Sequence, residues 1–289
     1  MKNMRPCFAF EFETPKGYTM RALWFGPKKV KRVVIFVHGL GGSAFSMARV
    51  LDGIVSKDTA VLSFNNRGFE MVTVLRRKDS EKERGGAAHE IFTDSLDDIQ
   101  GAVNFAWRQG VRDVFLAGHS TGCQKSVYWG YKKGKGVKGI ILFAPISDYE
   151  AELFRQGKKK FEQMTKRARA LVAQRTPHEL VSRSLWYEVL DAQRLVSLYT
   201  PHTPENVFPY GRQAQKPVAL RSLKIPVLVL WAEKDEYADR AAKEIAQWFD
   251  ANIRSRHRVV VVPKVGHGFK GGERIVAREV NEFIGHRLP

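Results

Sequence analysis

Residues 112–128, RDVFLAGHSTGCQKSVY, leave this chain few choices of fold. Val114, Phe115, Leu116 and Ala117 form a short apolar run of the kind that a strand buried on both faces needs. The run enters Gly118-His119-Ser120-Thr121-Gly122, a G-x-S-x-G pentapeptide, and Cys123 to Val127 then read as the start of a helix. Strand, sharp turn and helix in succession put a serine at the tip of the turn with its hydroxyl exposed. Side chains two residues before or after that serine would collide with the neighbouring strand and helix, which accounts for glycine at both places. The serine also stands just ahead of a helix N-terminus, whose unpaired N–H groups favour developing negative charge. A bare G-x-S-x-G arises by chance in glycine-rich loops; its flanks are what make this one read as a nucleophile elbow. Cys123 falls inside the helix while Ser120 holds the apex, so Cys123 reads as packing.

Around this stretch the chain alternates strand and helix. Residues 7–14 and 18–25 alternate apolar and polar side chains across a Pro15-Lys16-Gly17 turn, an antiparallel pair at a sheet edge. Residues 31–37, KRVVIFV, form a β-branched run suited to a central strand. That run ends in His38-Gly39-Leu40-Gly41-Gly42-Ser43, and a helix is expected to follow through Val55. The loop lacks G-x-G-x-x-G spacing and a later ribose-binding carboxylate, so a dinucleotide is not expected. It reads better as an oxyanion loop, with the Leu40 N–H as one donor and the Thr121 N–H of the elbow as the other. His38 reads as a structural hydrogen-bonder. After a strand at 59–64, the charged stretch 72–88 is expected to be an exposed excursion. Residues 91–108 form an amphipathic helix, and 137–145 another buried strand.

At Asp148 the alternation stops, and it resumes only at 226–231. The intervening 149–224 is too long for a plain loop and reads as a helical cap inserted before the last core strands, the core being 1–148 and 225–289. One helix there carries Arg155, Lys158, Lys159, Lys160, Lys166, Arg167 and Arg169, mostly a solvated face. Most of the segment's aromatic and aliphatic residues are expected to seat it on the core. Trp186, Leu195 and Phe208 are the candidates for lining a substrate pocket beneath it.

Three residues carry the chemistry. Ser120, Asp235 and His267 each stand just past the C-terminal end of an expected strand, and in a parallel sheet those ends share one edge. Serine alone is a poor nucleophile at neutral pH. His267 would take its proton, and Asp235 would fix the imidazole tautomer and stabilise the imidazolium. Glu233, Glu236, Asp239 and Asp148 are the other carboxylates within reach, and strand register favours Asp235. His119 and His178 have no nameable partner in the sequence, and His257 falls at a strand start on the opposite edge.

The loop at 38–42, the elbow at 118–122, Asp235 in WAEKDEY and His267 in VGHGF resemble an α/β-hydrolase of the serine esterase and lipase type, over nearly the whole chain. The resemblance implies an α/β-hydrolase fold, a mostly parallel central sheet flanked by helices. It further implies Ser120 as nucleophile, His267 as general base, Asp235 as the acid, Leu40 and Thr121 as oxyanion donors, and no metal or cofactor. More loosely, AQRLVSLYTP at 192–201 is similar to a subgroup that includes siderophore esterases, a match from which no substrate is carried over. Carboxylic-ester hydrolysis is the expected reaction. Thioesterase, amidase or peptidase, acyltransferase, and a non-catalytic binding protein on the same fold are the alternatives.

Composition narrows the setting. No apolar run approaches the roughly 20 residues of a membrane span, and no secretory leader is recognisable at 1–15. Cys7 and Cys123 are expected to be reduced thiols in a cytoplasmic protein. The net charge of +18 attracts polyanions, but no nucleic-acid-reading module accompanies it. The expected partner is therefore a small-molecule ester, aryl and anionic ones included, with no specific nucleic acid.

Overall fold

The structure, a computed structural model, describes residues 6–78, 82–182, 189–212 and 214–285. The chain begins with two strands, β1 (Cys7–Glu13) and β2 (Thr19–Phe25), paired antiparallel. Then come β3 (Arg32–Val37), α1 (Ala48–Ile54), β4 (Thr59–Phe64), a small hairpin of β5 (Thr73–Leu75) and β6 (Glu83–Gly85), and α2 (Ser95–Arg108). Next are β7 (Asp113–His119), α3 (Thr121–Lys132) and β8 (Ile140–Phe143). Helices α4 (Asp148–Gln156), α5 (Lys158–Ala173), α6 (Ala192–Tyr199) and α7 (Val218–Arg221) precede β9 (Val227–Ala232). The chain closes with α8 (Ala242–Asn252), β10 (His257–Val262) and α9 (Glu273–Gly285).

Eight strands form one sheet in the order β1-β2-β4-β3-β7-β8-β9-β10, parallel from β4 onward and antiparallel at the β1–β2 edge. Helices cover both faces, and the central strands therefore read as unbroken apolar runs. In β3 the pleat sorts them: Val33, Ile35 and Val37 pack with Ile99 and Val103 of α2 and Val127 of α3, while Val34 and Phe36 pack with Leu51 of α1 and Val280 of α9. The C-terminal ends of β7, β9 and β10, with β8 between β7 and β9, lie along the same end of the sheet, where the elbow, Asp235 and His267 follow.

Two expectations are refined here. The charged stretch 72–88 is exposed over most of its described residues up to Arg84, as expected, but it is not structureless. It contains the β5–β6 hairpin and returns to the interior at Ala87 and Ala88, both fully buried. The basic helix is two helices, because Gly157 at φ 76° breaks α4 from α5. In the inserted segment, α4, α5 and α6 pack on one another, and Phe161, Met164, Leu171, Leu195 and Leu198 form a cluster of their own. Val207, Phe208, Tyr210, Leu220 and Leu223 pack instead into the main core beside Trp231 and Phe249.

Candidate active site

The elbow is built by two contacts that tolerate only hydrogen. A Cβ on Gly118 would stand 2.2 Å from the Gly122 carbonyl oxygen, and one on Gly122 would stand 2.1 Å from that of Val37. The helix and strand thus touch backbone to backbone, and Ser120 between them is forced to φ 55° and ψ −126°. That conformation is costly for a residue with a side chain. It is held by the Ser120 N–H donating to Phe143 O at 3.0 Å and by the Cys123 N–H donating to Ser120 O at 2.8 Å. Gly122→Ala must push β3 and α3 apart, and is expected to lower stability by about 1–3 kcal/mol or more, read as a shift in the urea midpoint at unchanged m-value.

The glycine-rich loop is pressed against the serine: a Cβ on Gly39 would meet Ser120 Cβ at 2.9 Å. His38, fully buried, pins the loop. Its Nδ1–H donates to Gly39 O at 2.9 Å and its Nε2 accepts the Asn66 N–H at 3.3 Å. Burial, and then the Lys125 ammonium, lower its pKa to about 4, so the ring is neutral and this tautomer fixed. Leu40 follows Gly39 directly and lines the cavity beside Ser120, while Thr121 opens α3 with its N–H at the helix start.

His267 follows β10 in a short loop and meets Asp235 from the loop after β9. Its Nδ1–H donates to Asp235 Oδ2 at 2.8 Å, and Asp235 Oδ1 accepts the Tyr237 N–H at 3.0 Å. The neighbouring acids are engaged elsewhere. Glu233 accepts the Lys264 N–H, Glu236 accepts the His267 backbone N–H, and Asp239 pairs with Arg240. Asp148, at the start of α4, accepts from the Gln124 amide and lines the cavity. Cys123 is buried with its thiol donating to Gly118 O at 3.1 Å, and burial raises its pKa well above the ordinary range.

The sequence did not reveal what holds the His267 ring. His119 packs against it at 4.7 Å between ring centroids and Tyr237 meets it edge-on at 4.7 Å. His119 Nε2 lies 3.0 Å from the His267 carbonyl oxygen. Burial first, and then His267 itself, lower the His119 pKa to about 3, so the ring is neutral, and the facing carbonyl oxygen, which can only accept, selects the tautomer with its proton on Nε2. His119 is thus a neutral positioning group, reaching from the elbow to a loop 148 residues further on.

A cavity of about 400 Å³ opens onto Ser120 and His267, walled by Leu40, Met47, Ile146, Tyr199 and Tyr237 together with the carboxylates Asp148 and Glu152. Leu195 and Phe208 do not line it. Leu195 points into the cluster of α4–α6, and Phe208 stacks edge-on to Phe249 in the main core. Trp186 lies outside the described residues. The wall from α6 is Tyr199, one turn beyond Leu195. Behind the elbow, the buried Lys125 of α3 pairs with Glu90 at 2.5 Å, and Glu90 pairs with Arg194 of α6 at 2.9 Å. Burial alone would raise the Glu90 carboxyl, but Lys125 and Arg194 hold it below its usual value. Removing one member would strand a buried charge at a cost of about 3–5 kcal/mol.

Sheet order, elbow and loop positions define an α/β-hydrolase fold. A sequence model described as "Serine aminopeptidase, S33" matches residues 28–284, and the chain belongs to this hydrolase family. No curated protein matches it in sequence. Among solved structures it is similar to the siderophore hydrolase EstB from Aspergillus fumigatus, at 15% identity over 99% of both chains with a TM-score of 0.72. It is also similar to Est1E from Butyrivibrio proteoclasticus, solved with ferulic acid bound, at 17% identity over 94% of this chain and 97% of that one, TM-score 0.63. The Pyrococcus furiosus esterase Pf2001 aligns at 15% identity over 97% and 91%, TM-score 0.63. Among the described residues no helix is long and apolar enough to cross a membrane.

Proposed function

We propose that the protein is a serine hydrolase that cleaves carboxylic esters through an acyl-enzyme. The observation that carries this reading is His267, its Nδ1 bonded to Asp235 at 2.8 Å and its ring on the same cavity as the strained Ser120. Ser120 Oγ attacks the ester carbonyl carbon as His267 Nε2 takes its proton. Asp235 stabilises the imidazolium, and the Leu40 and Thr121 N–H groups receive the charge on the carbonyl oxygen. Collapse breaks the C–O bond, and the alkoxide leaves with the proton from His267. A water, deprotonated by the same imidazole, then releases the acid and restores Ser120. The similar structures described as a siderophore hydrolase and esterases agree with an ester substrate. Segment 149–224 serves as a cap whose α4 and α6 wall the acyl site.

The family description favours a second reading, cleavage of an aminoacyl amide by the same groups. One panel separates the two: p-nitrophenyl esters of graded chain length, an aryl ester, a thioester and aminoacyl p-nitroanilides. Esters are expected to turn over with the highest kcat/KM. Turnover of anilides alone would shift the assignment to a peptidase, and turnover of nothing would sink both. Tyr199→Ala enlarges the acyl wall and is expected to change the ranking of ester chain lengths by about 1–3 kcal/mol in relative kcat/KM. An unchanged ranking in a folded variant would remove α6 from the pocket.

A further inference from the structure

Away from the catalytic cavity, three metal-ligating side chains converge. Asp191, the N-cap of α6, is fully buried, and its Oδ1 is fixed by the Arg194 N–H at 2.7 Å. Its other oxygen, Oδ2, receives two imidazoles at once: His89 Nδ1 at 2.9 Å and His178 Nδ1 at 3.1 Å. The donor atoms of the three residues all lie within 4.8 Å of one another. Two imidazoles on one buried carboxylate oxygen exceed what capping a helix requires, since Oδ1 already does that.

We propose that His89, His178 and Asp191 bind a single divalent transition metal of the zinc type. The chemistry of the donors selects it. Two imidazole nitrogens and one carboxylate suit zinc, whereas magnesium and calcium prefer all-oxygen sets. The spacing fits as well, because Zn–N and Zn–O bonds of about 2.0–2.1 Å hold tetrahedral ligand atoms about 3.3 Å apart. The two Nδ1···Oδ2 edges, at 2.9 and 3.1 Å, need to open by only a few tenths of an ångström, and rotation of the exposed His178 ring sets the remaining edge between the two imidazoles; each imidazole then carries its proton on Nε2 and water fills the fourth position. The Arg194 N–H on Oδ1 already orients the carboxylate. His178 is exposed and His89 nearly buried, so the ion arrives from the His178 side.

The site joins two parts of the chain. His89 belongs to the core loop after β6, and His178 and Asp191 belong to the inserted segment. The Asp191 N–H already donates to Ala88 O at 2.9 Å, and Leu180 bridges to Asp191. A bound metal fastens this junction, next to Glu90 and its pair with Lys125 behind the elbow.

The test uses full-length protein treated with a chelator and dialysed, then titrated with Zn²⁺ alone or Co²⁺ alone. One equivalent is expected to bind. Co²⁺ should give the visible bands of a tetrahedral site, and Zn²⁺ should raise the Tm, while Mg²⁺ at the same concentration does neither. His178→Ala, at an exposed position, is expected to weaken binding at least about tenfold and to abolish the Tm rise. His267→Ala should keep the full equivalent, which separates this site from metal caught at the His267–Asp235 pair. His89→Ala should behave as His178→Ala where it folds. No binding by the wild type, or wild-type affinity in a folded His178→Ala, would overturn the proposal.

Discussion

Ser120→Ala is expected to lower kcat for ester cleavage by on the order of 10⁶, leaving a rate about 10³–10⁴ above water from the oxyanion donors and binding. No neighbouring group can stand in for the lost hydroxyl. Cys123, three residues on, faces the interior with its thiol bonded to Gly118 O, and burial keeps it protonated. The fold should not register the change. Alanine and serine are equally ill-suited to φ 55°, and the backbone bonds, from the Ser120 N–H to Phe143 O and from the Cys123 N–H to Ser120 O, do not involve the hydroxyl. The unfolding free energy read from the urea midpoint should therefore change by no more than about 0.5 kcal/mol. A fluorophosphonate probe is expected to add once to the wild type and not at all to the variant. Addition at another residue, or undiminished turnover by the variant, would dismantle the assignment.

What the sequence disclosed and what it withheld divide by range. The strands β3, β7 and β9 were legible because burial on both faces writes an unbroken apolar run, and the elbow because its glycines answer contacts within a few residues. Asp235 and His267 were legible as positions because each follows a strand directly. Groups whose partners are distant in sequence were not. Lys125 looks like any helix lysine, yet it is fully buried because Glu90 comes in from the loop after β6. Glu90 is in turn held by Arg194, 104 residues away. His119 gave no sign that its ring would pack against that of His267, and His178 gave none of Asp191 and His89. For the pocket wall, composition pointed to the inserted segment but could not tell which turn of α6 reaches the cavity. Leu195 and Tyr199 share one face of α6 and both pack in the cluster with Phe161, but only Tyr199, one turn nearer the C-terminal end, also reaches the cavity. Phe208 fails as a wall for a different reason: by residue 207 the chain has already rejoined the main core.

Asp235→Asn carries the second large effect, a fall in kcat of about 10⁴ with KM nearly unchanged. The geometry explains why a single oxygen-to-nitrogen exchange should cost so much. Asp235 Oδ1 is claimed by the Tyr237 N–H at 3.0 Å, and Oδ2 by His267 Nδ1–H at 2.8 Å. Asparagine must give its one oxygen to the Tyr237 N–H, or else bury that donor unsatisfied. Its NH₂ then faces Nδ1, which can only accept from it. The imidazole proton moves to Nε2, the nitrogen that must take the proton from Ser120, and the base is blocked while the pocket keeps its shape. The competing carboxylate offers the control. Asp148 bonds the Gln124 amide and lines the cavity, so Asp148→Asn should alter substrate preference far more than tautomer. Single-turnover kinetics on both variants, with folding checked by circular dichroism, decides between them. If Asp148→Asn loses the larger factor in kcat and remains folded, the acid that serves His267 is not Asp235.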